Sequence, residues 1–271
     1  MSEECNNDCE NCSGDCGTQD PSSLRKPANP DAHIGKVFAV MSGKGGVGKS
    51  MVTAQLATAM QRRGFRVGIL DADITGPSIP QAFGLHTKAA GTGTALIPCD
   101  TGDGMQIMSI NLLLDDEAEP VIWRGPIVGG VVQQFWTDVL WNVDYLFVDM
   151  PPGTGDVPLS VFQILPIDGV VVVTSPQELV GLVVEKAIRM TEKMSVPMIG
   201  LIENMSYLAC PDCGKRIYPF GEGKSAAAAA QHGIPLLAQL PIDPEISAHM
   251  DAGEIGAYPV AAFDAIAEKL A

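Results

Sequence analysis

The chain has 271 residues, is 46% hydrophobic and carries a formal net charge of −15, which supplies one substantial core and argues against nonspecific attachment to nucleic acid or anionic lipid. Its longest apolar runs are strand-sized, well short of the ~20 residues that a membrane-spanning helix needs. Glu3, Glu4, Asp8, Glu10, Asp15 and Asp20 hold −6 of that charge with no Lys or Arg among the first twenty residues, so residues 21–271 carry the other −9.

Residues 1–33 read as a polar, disordered, cysteine-rich tail that cannot bury a core. Its acidic start is the opposite of a signal peptide, so a cytoplasmic protein with seven reduced cysteines is expected. Residues 34–271 form the body. Residues 36–41 predict a buried strand and residues 48–63 a helix that stops at Gly64. Further buried strands are predicted at 67–73, 105–110, 145–152, 169–176, 198–206 and 235–241, with helices at 126–141, 157–165, 178–194, 222–232, 244–252 and 260–270. The alanine run at 226–230 belongs inside a helix. Apolar strands alternating with helices imply an α/β fold, a mostly parallel sheet covered by helices on both faces. The polar strand ends DAD, DMPP, TSP and ENM all fall on one edge, where open α/β sheets bind ligands.

Between the first strand and first helix, Gly43-Lys44-Gly45-Gly46-Val47-Gly48-Lys49-Ser50 fits the phosphate-loop pattern in the required context. The glycines let backbone N–H groups turn onto phosphate oxygens at a helix N-terminus. Lys49 is assigned to the β- and γ-phosphates of ATP and Ser50 to Mg²⁺; the nucleotide site runs on to Met51. Asp149 suits the Mg²⁺ shell, and Asp73, beside Asp71, suits orientation of the attacking water. Asp156 fits either a γ-phosphate sensor or a helix cap.

This loop has a second lysine, Lys44, and KGGVGKS resembles the deviant Walker A loop of the nitrogenase iron protein, the MinD and ParA ATPases and the Mrp-like iron–sulfur carriers. In that group the first lysine crosses a dimer interface, so the resemblance implies that Lys44 acts in catalysis on the nucleotide of a second copy. Asn204, in ENMS, is implied as a reader of the adenine edge, with residues 240–246 as a wall on its other side. Arg124, in WRGP, receives no chemical assignment.

Cys210-Pro211-Asp212-Cys213 offers two thiolates at C-x-x-C spacing, and four-thiolate completion needs two more, which a symmetric dimer supplies. The spacing alone leaves zinc and iron–sulfur open. ENMSYLACPDCGKRIYPFGEG, DADITGPSIP and WRGP resemble the Mrp-like carriers, in which this pair holds a bridging 4Fe–4S cluster. Cys5, Cys9, Cys12 and Cys16 form a complete four-thiolate set for a second metal site, again cluster or zinc. Cys99 has no cysteine neighbour and reads as a buried small residue. The expected protein is a slow, homodimeric ATPase that passes clusters to apo-proteins and binds neither nucleic acid nor membrane. The rival readings are an ATP-driven electron donor and a ParA/MinD-type positioning ATPase.

Overall fold

A computed structural model of the chain describes residues 25–115, 125–176 and 180–271. In chain order, strand β1 (His33–Ser42) leads through the phosphate loop into helix α1 (Lys49–Arg62), then β2 (Val67–Asp71) and the short α2 (Ile79–Ala82). Four short strands follow: β3 (Ala90–Gly91), β4 (Leu96–Ile97), β5 (Cys99–Asp100) and β6 (Gln106–Met108). Next come α3 (Gly125–Thr137), β7 (Asn142–Asp149), α4 (Asp156–Ile164), β8 (Gly169–Thr174) and α5 (Val180–Lys193). The chain continues with β9 (Met198–Ala209), β10 (Arg216–Ile217), α6 (Ser225–Gln231), β11 (Leu236–Pro241), α7 (Pro244–Asp251) and α8 (Ala261–Leu270).

The main sheet runs β9-β8-β1-β7-β2-β6-β5, with β11 on the outer side of β9 and β10 folded back on its end. Its neighbours are parallel except at β5–β6 and at the β9–β10 hairpin. Alternation along β1 builds both layers. Val37, Ala39 and Met41 pack toward Val132 and Phe135 of α3, Phe162 of α4 and Val184 of α5. Phe38 and Val40 pack toward Leu56 and Met60 of α1 and Phe263 and Ile266 of α8. Burying both faces is why these strands read as continuous apolar runs.

Every strand and helix predicted for the body is present, with shifted ends. The helix expected to reach 141 stops at Thr137, because Leu96 N–H donates to Asp138 O and Leu140 N–H to Leu96 O, drawing the chain into a bridge. β9 runs three residues beyond the expected 206, and the hairpin into β10 accounts for the excess. Residues 226–230 lie inside α6. Cys99 is buried, its thiol donating to Thr87 O at 3.1 Å. Residues 26–33, read as tail, are held to the body: Trp136 Nε1 donates to Lys26 O at 2.8 Å, Lys26 N–H to Ile164 O at 3.1 Å, and His33 N–H to Trp141 O at 2.7 Å. Cys5, Cys9, Cys12, Cys16 and Arg124 lie outside the described residues. Among the described residues no helix is long and apolar enough to cross a membrane.

Candidate functional site

β1 is exposed at its start and buried at its end, so the phosphate loop springs from the core. Ser42 Oγ donates to Lys44 O at 2.9 Å. The chain then turns through Gly46 (φ 78°) and Gly48 (φ 82°) into α1. Gly48 is the N-cap residue, and no side chain caps the helix. The first-turn N–H groups therefore have neither an intrahelical partner nor a side-chain acceptor, and they sit at the positive end of the helix dipole. A Cβ built on Gly45 or Gly46 meets nothing within 4 Å. Uncapped donors at a helix N-terminus, beside glycines with room around them, fit a polyphosphate.

Behind the loop the carboxylates converge. Lys49 is buried, its Nζ 2.8 Å from Asp149 Oδ2 and 3.7 Å from Asp73 Oδ2. Ser50 Oγ donates to Asp149 Oδ2 at 2.6 Å and Thr53 Oγ1 to Asp149 Oδ1 at 2.7 Å. Asp149 is fully buried and fully partnered. The Ser50 hydroxyl beside that carboxylate is a hard-oxygen donor set of the kind Mg²⁺ prefers. Asp71 is also fully buried and accepts from Ser109 Oγ at 3.0 Å and Asp73 N–H at 3.2 Å. Burial, then the nearby Asp149 charge, push its carboxyl up to about 8, against the pull of Lys49. Burial also raises Asp73, with Lys49 opposing. Asp156 opens α4 as an exposed first-turn carboxylate, where it complements the helix dipole; no ion pair joins it to Lys49 among the described residues.

Lys44 stands outside this cluster. It is exposed, makes no ion pair among the described residues, and lines a cavity of about 230 Å³ with Thr154, Thr174, Leu182 and Lys186. On the other side of the loop, buried Asn204 donates from Nδ2 to Val47 O at 2.9 Å. Asn204 also lines an apolar cleft of about 200 Å³ with Met51, Met205, Pro241, Ile242 and Phe263. Residues of the segment 240–246 line the same cleft, and Asp243 caps α7 by accepting from Glu245 N–H.

β9 carries the chain from this cleft to the cysteines. Cys210 N–H donates to Lys215 O at 3.0 Å and Gly214 N–H returns to Cys210 O at 2.9 Å, closing a tight knuckle between β9 and β10. The Cys210 sulfur accepts from the amides of Cys213 and Asp212 and contacts the Cys213 thiol, which holds Cys210 below the usual thiol range. Both sulfurs are accessible, and Ile217, Tyr218 and Phe220 beside them are exposed apolar side chains. Among the described residues no three His, Cys, Asp or Glu side chains gather into a metal site. A thiolate centre on this hairpin thus needs two more ligands from elsewhere.

Thr53 and Ser109 escaped the sequence reading. Thr53 shares the α1 face of Lys49, four residues on, a signal that was present; Ser109 reaches Asp71 only through the β2–β6 pairing.

Comparison with known proteins places this geometry. A family model described as "ParA: NUBPL iron-transfer P-loop NTPase" matches residues 33–271. An iron–sulfur cluster carrier protein of Clostridium perfringens is 42% identical over 254 residues, covering 90% of this chain and 88% of the relative. The one from Methanocaldococcus jannaschii is 43% identical over 248 residues, covering 89% and 86%. A nucleotide-binding protein from Archaeoglobus fulgidus, solved with ADP, is 44% identical, with a TM-score of 0.77 over 85% of this chain and 91% of its own. MinD of Pyrococcus horikoshii, at 21% identity and TM-score 0.57 over 88% and 96%, shares the fold. With its phosphate loop, buried carboxylates and parallel sheet, the chain belongs to the NUBPL iron-transfer P-loop NTPase family.

Proposed function

We propose that the protein is an ATP-binding, slowly ATP-hydrolysing carrier that holds an iron–sulfur cluster between two copies of itself and delivers it to apo-proteins. The observation that carries this reading is the Cys210–Cys213 hairpin: an accessible pair of sulfurs, Cys210 held below the usual thiol range, with half the ligands of a four-thiolate centre. The names of its close relatives, iron–sulfur cluster carrier proteins, point the same way.

The loop residues Gly43–Met51 bind the triphosphate through backbone N–H groups and Lys49. Ser50 and Asp149 would hold Mg²⁺, which would supply neutralisation of the phosphate charge. Asp73, its carboxyl pKa raised by burial against the pull of Lys49, orients the attacking water. Lys44, exposed beside the loop, reaches the triphosphate of the facing copy, so closure and hydrolysis are linked. The same two-fold axis brings two hairpins together and completes four thiolates around a 4Fe–4S cargo. Cys5, Cys9, Cys12 and Cys16 form a second, single-chain thiolate site in the N-terminal tail that precedes the body. The acidic surface disfavours nucleic acid and anionic membranes as partners, which fits a cytoplasmic carrier.

The test is anaerobic reconstitution with iron and sulfide of the wild type and Cys210→Ala, followed by iron, sulfide and zinc analysis and transfer to an apo-ferredoxin. The variant is expected to lose about four iron and four sulfide per dimer and to deliver no cluster from that site. Equal content in the two proteins, or zinc without sulfide at the hairpin, overturns the reading.

A further inference from the structure

Only two non-glycine residues among those described have a left-handed backbone, Ser195 (φ 54°) and Met205 (φ 57°). Ser195 is exposed in the turn after α5, a common place for such a conformation. Met205 lies within β9, where neither a turn nor a helix end calls for it. The strand is bulged there: Glu203 pairs with Gln239 and Tyr207 with Pro241, so four residues of β9 advance against two of β11.

The bulge breaks the alternation of side chains. Ser206 Oγ donates to Glu203 Oε1, joining two residues three apart. Asn204 and Met205, which a regular strand would send to opposite faces, both line the apolar cleft beside the phosphate loop. Five residues further along, immediately past the end of β9, stands Cys210. Met205 is thus the half-buried, conformationally costly link between the cleft wall and the cysteine hairpin.

We infer that Met205 is a positioning residue: the base of the bound nucleotide packs against its side chain, sets the β9 bulge, and so shifts the Cys210–Cys213 hairpin. This rests on the proposed ATP-dependent carriage and adds its route through β9. The cleft is lined mainly by apolar side chains, with Asn204, Asp243 and Ser247 as its polar groups, which suits a flat heteroaromatic base.

The experiment measures capture of cluster iron by a chelator from the reconstituted full-length dimer, with and without saturating ATP. The variants are Met205→Gly, which accepts the left-handed backbone without a side chain, and Met205→Asn, which also tolerates it but is polar. Saturating nucleotide keeps weakened affinity from masking the result. In wild type, ATP should change the capture rate by about fivefold or more. Both variants should load the same iron and sulfide, with the ATP effect reduced to under about twofold. Met205→Leu, which keeps an apolar side chain, should restore it. Wild-type responses in the glycine and asparagine variants overturn the role of Met205 alone. A wild type that loads cluster and ignores ATP overturns the nucleotide-coupled reading and this route with it.

Discussion

Asp71 shows how much one buried carboxyl contributes to the character of the site. Its folded pKa, about 8, lies far above the 3.8 of an unperturbed group. The folded state therefore holds this proton where the unfolded chain releases it. The resulting contribution to stability is fully present below pH 3.8 and is lost as pH rises through about 8. Asp71→Asn removes the titration while keeping an acceptor for Ser109, so stability measured by urea unfolding in metal-free buffer should fall less steeply between pH 4 and 8 than in wild type. An unchanged slope would place the proton elsewhere. The loop lysine, the serine beside it and Asp149 were legible in the sequence because motif and strand end announce them. The contacts of Thr53 and Asn204 were less so, because each meets a partner about a hundred residues or more away. Asn204 was read for an adenine edge, and the structure adds that it fastens Val47.

Helix α1 and its entry depend on one glycine. A Cβ on Gly48 would lie 2.3 Å from Asn204 Nδ2, and its φ of 82° disfavours any side chain. Gly48→Ala should destabilise the fold by roughly 1–3 kcal/mol, seen as a lower unfolding midpoint. It should also displace Asn204 and weaken ATP binding by at least about tenfold, read by fluorescence titration with a labelled nucleotide. An alanine variant with wild-type affinity would show that the loop tolerates the intrusion. The long elements were predictable since continuous apolar runs bounded by Gly, Pro and acids have few other solutions. The two-residue strands β3, β4, β5 and β10 carry no period to detect, and the β9 bulge depends on its pairing with β11.

At the scale of the whole molecule, the nucleotide loop, the carboxylates and the cysteine hairpin all follow from strands of one mostly parallel sheet, so a copy related by a two-fold axis would present the same features back to it. Lys44→Ala should leave the unfolding midpoint unchanged, as expected for an exposed loop residue, while ATP turnover drops by at least about a hundredfold. Lys49→Ala should be equally inactive. Mixing the two inactive proteins should recover turnover, because the Lys49→Ala partner supplies the missing Lys44 to an otherwise intact site. No recovery would mean that Lys44 serves its own chain. The hairpin's sulfur contact carries a further cost. Two neighbouring thiols, one of them acidified by backbone amides, are a pair that oxygen should oxidise to a disulfide by removing two electrons. On the proposed reading, the empty hairpin should lose its readiness to accept cargo in air and regain it with a thiol reductant, so that readiness would track the thiol balance of its surroundings.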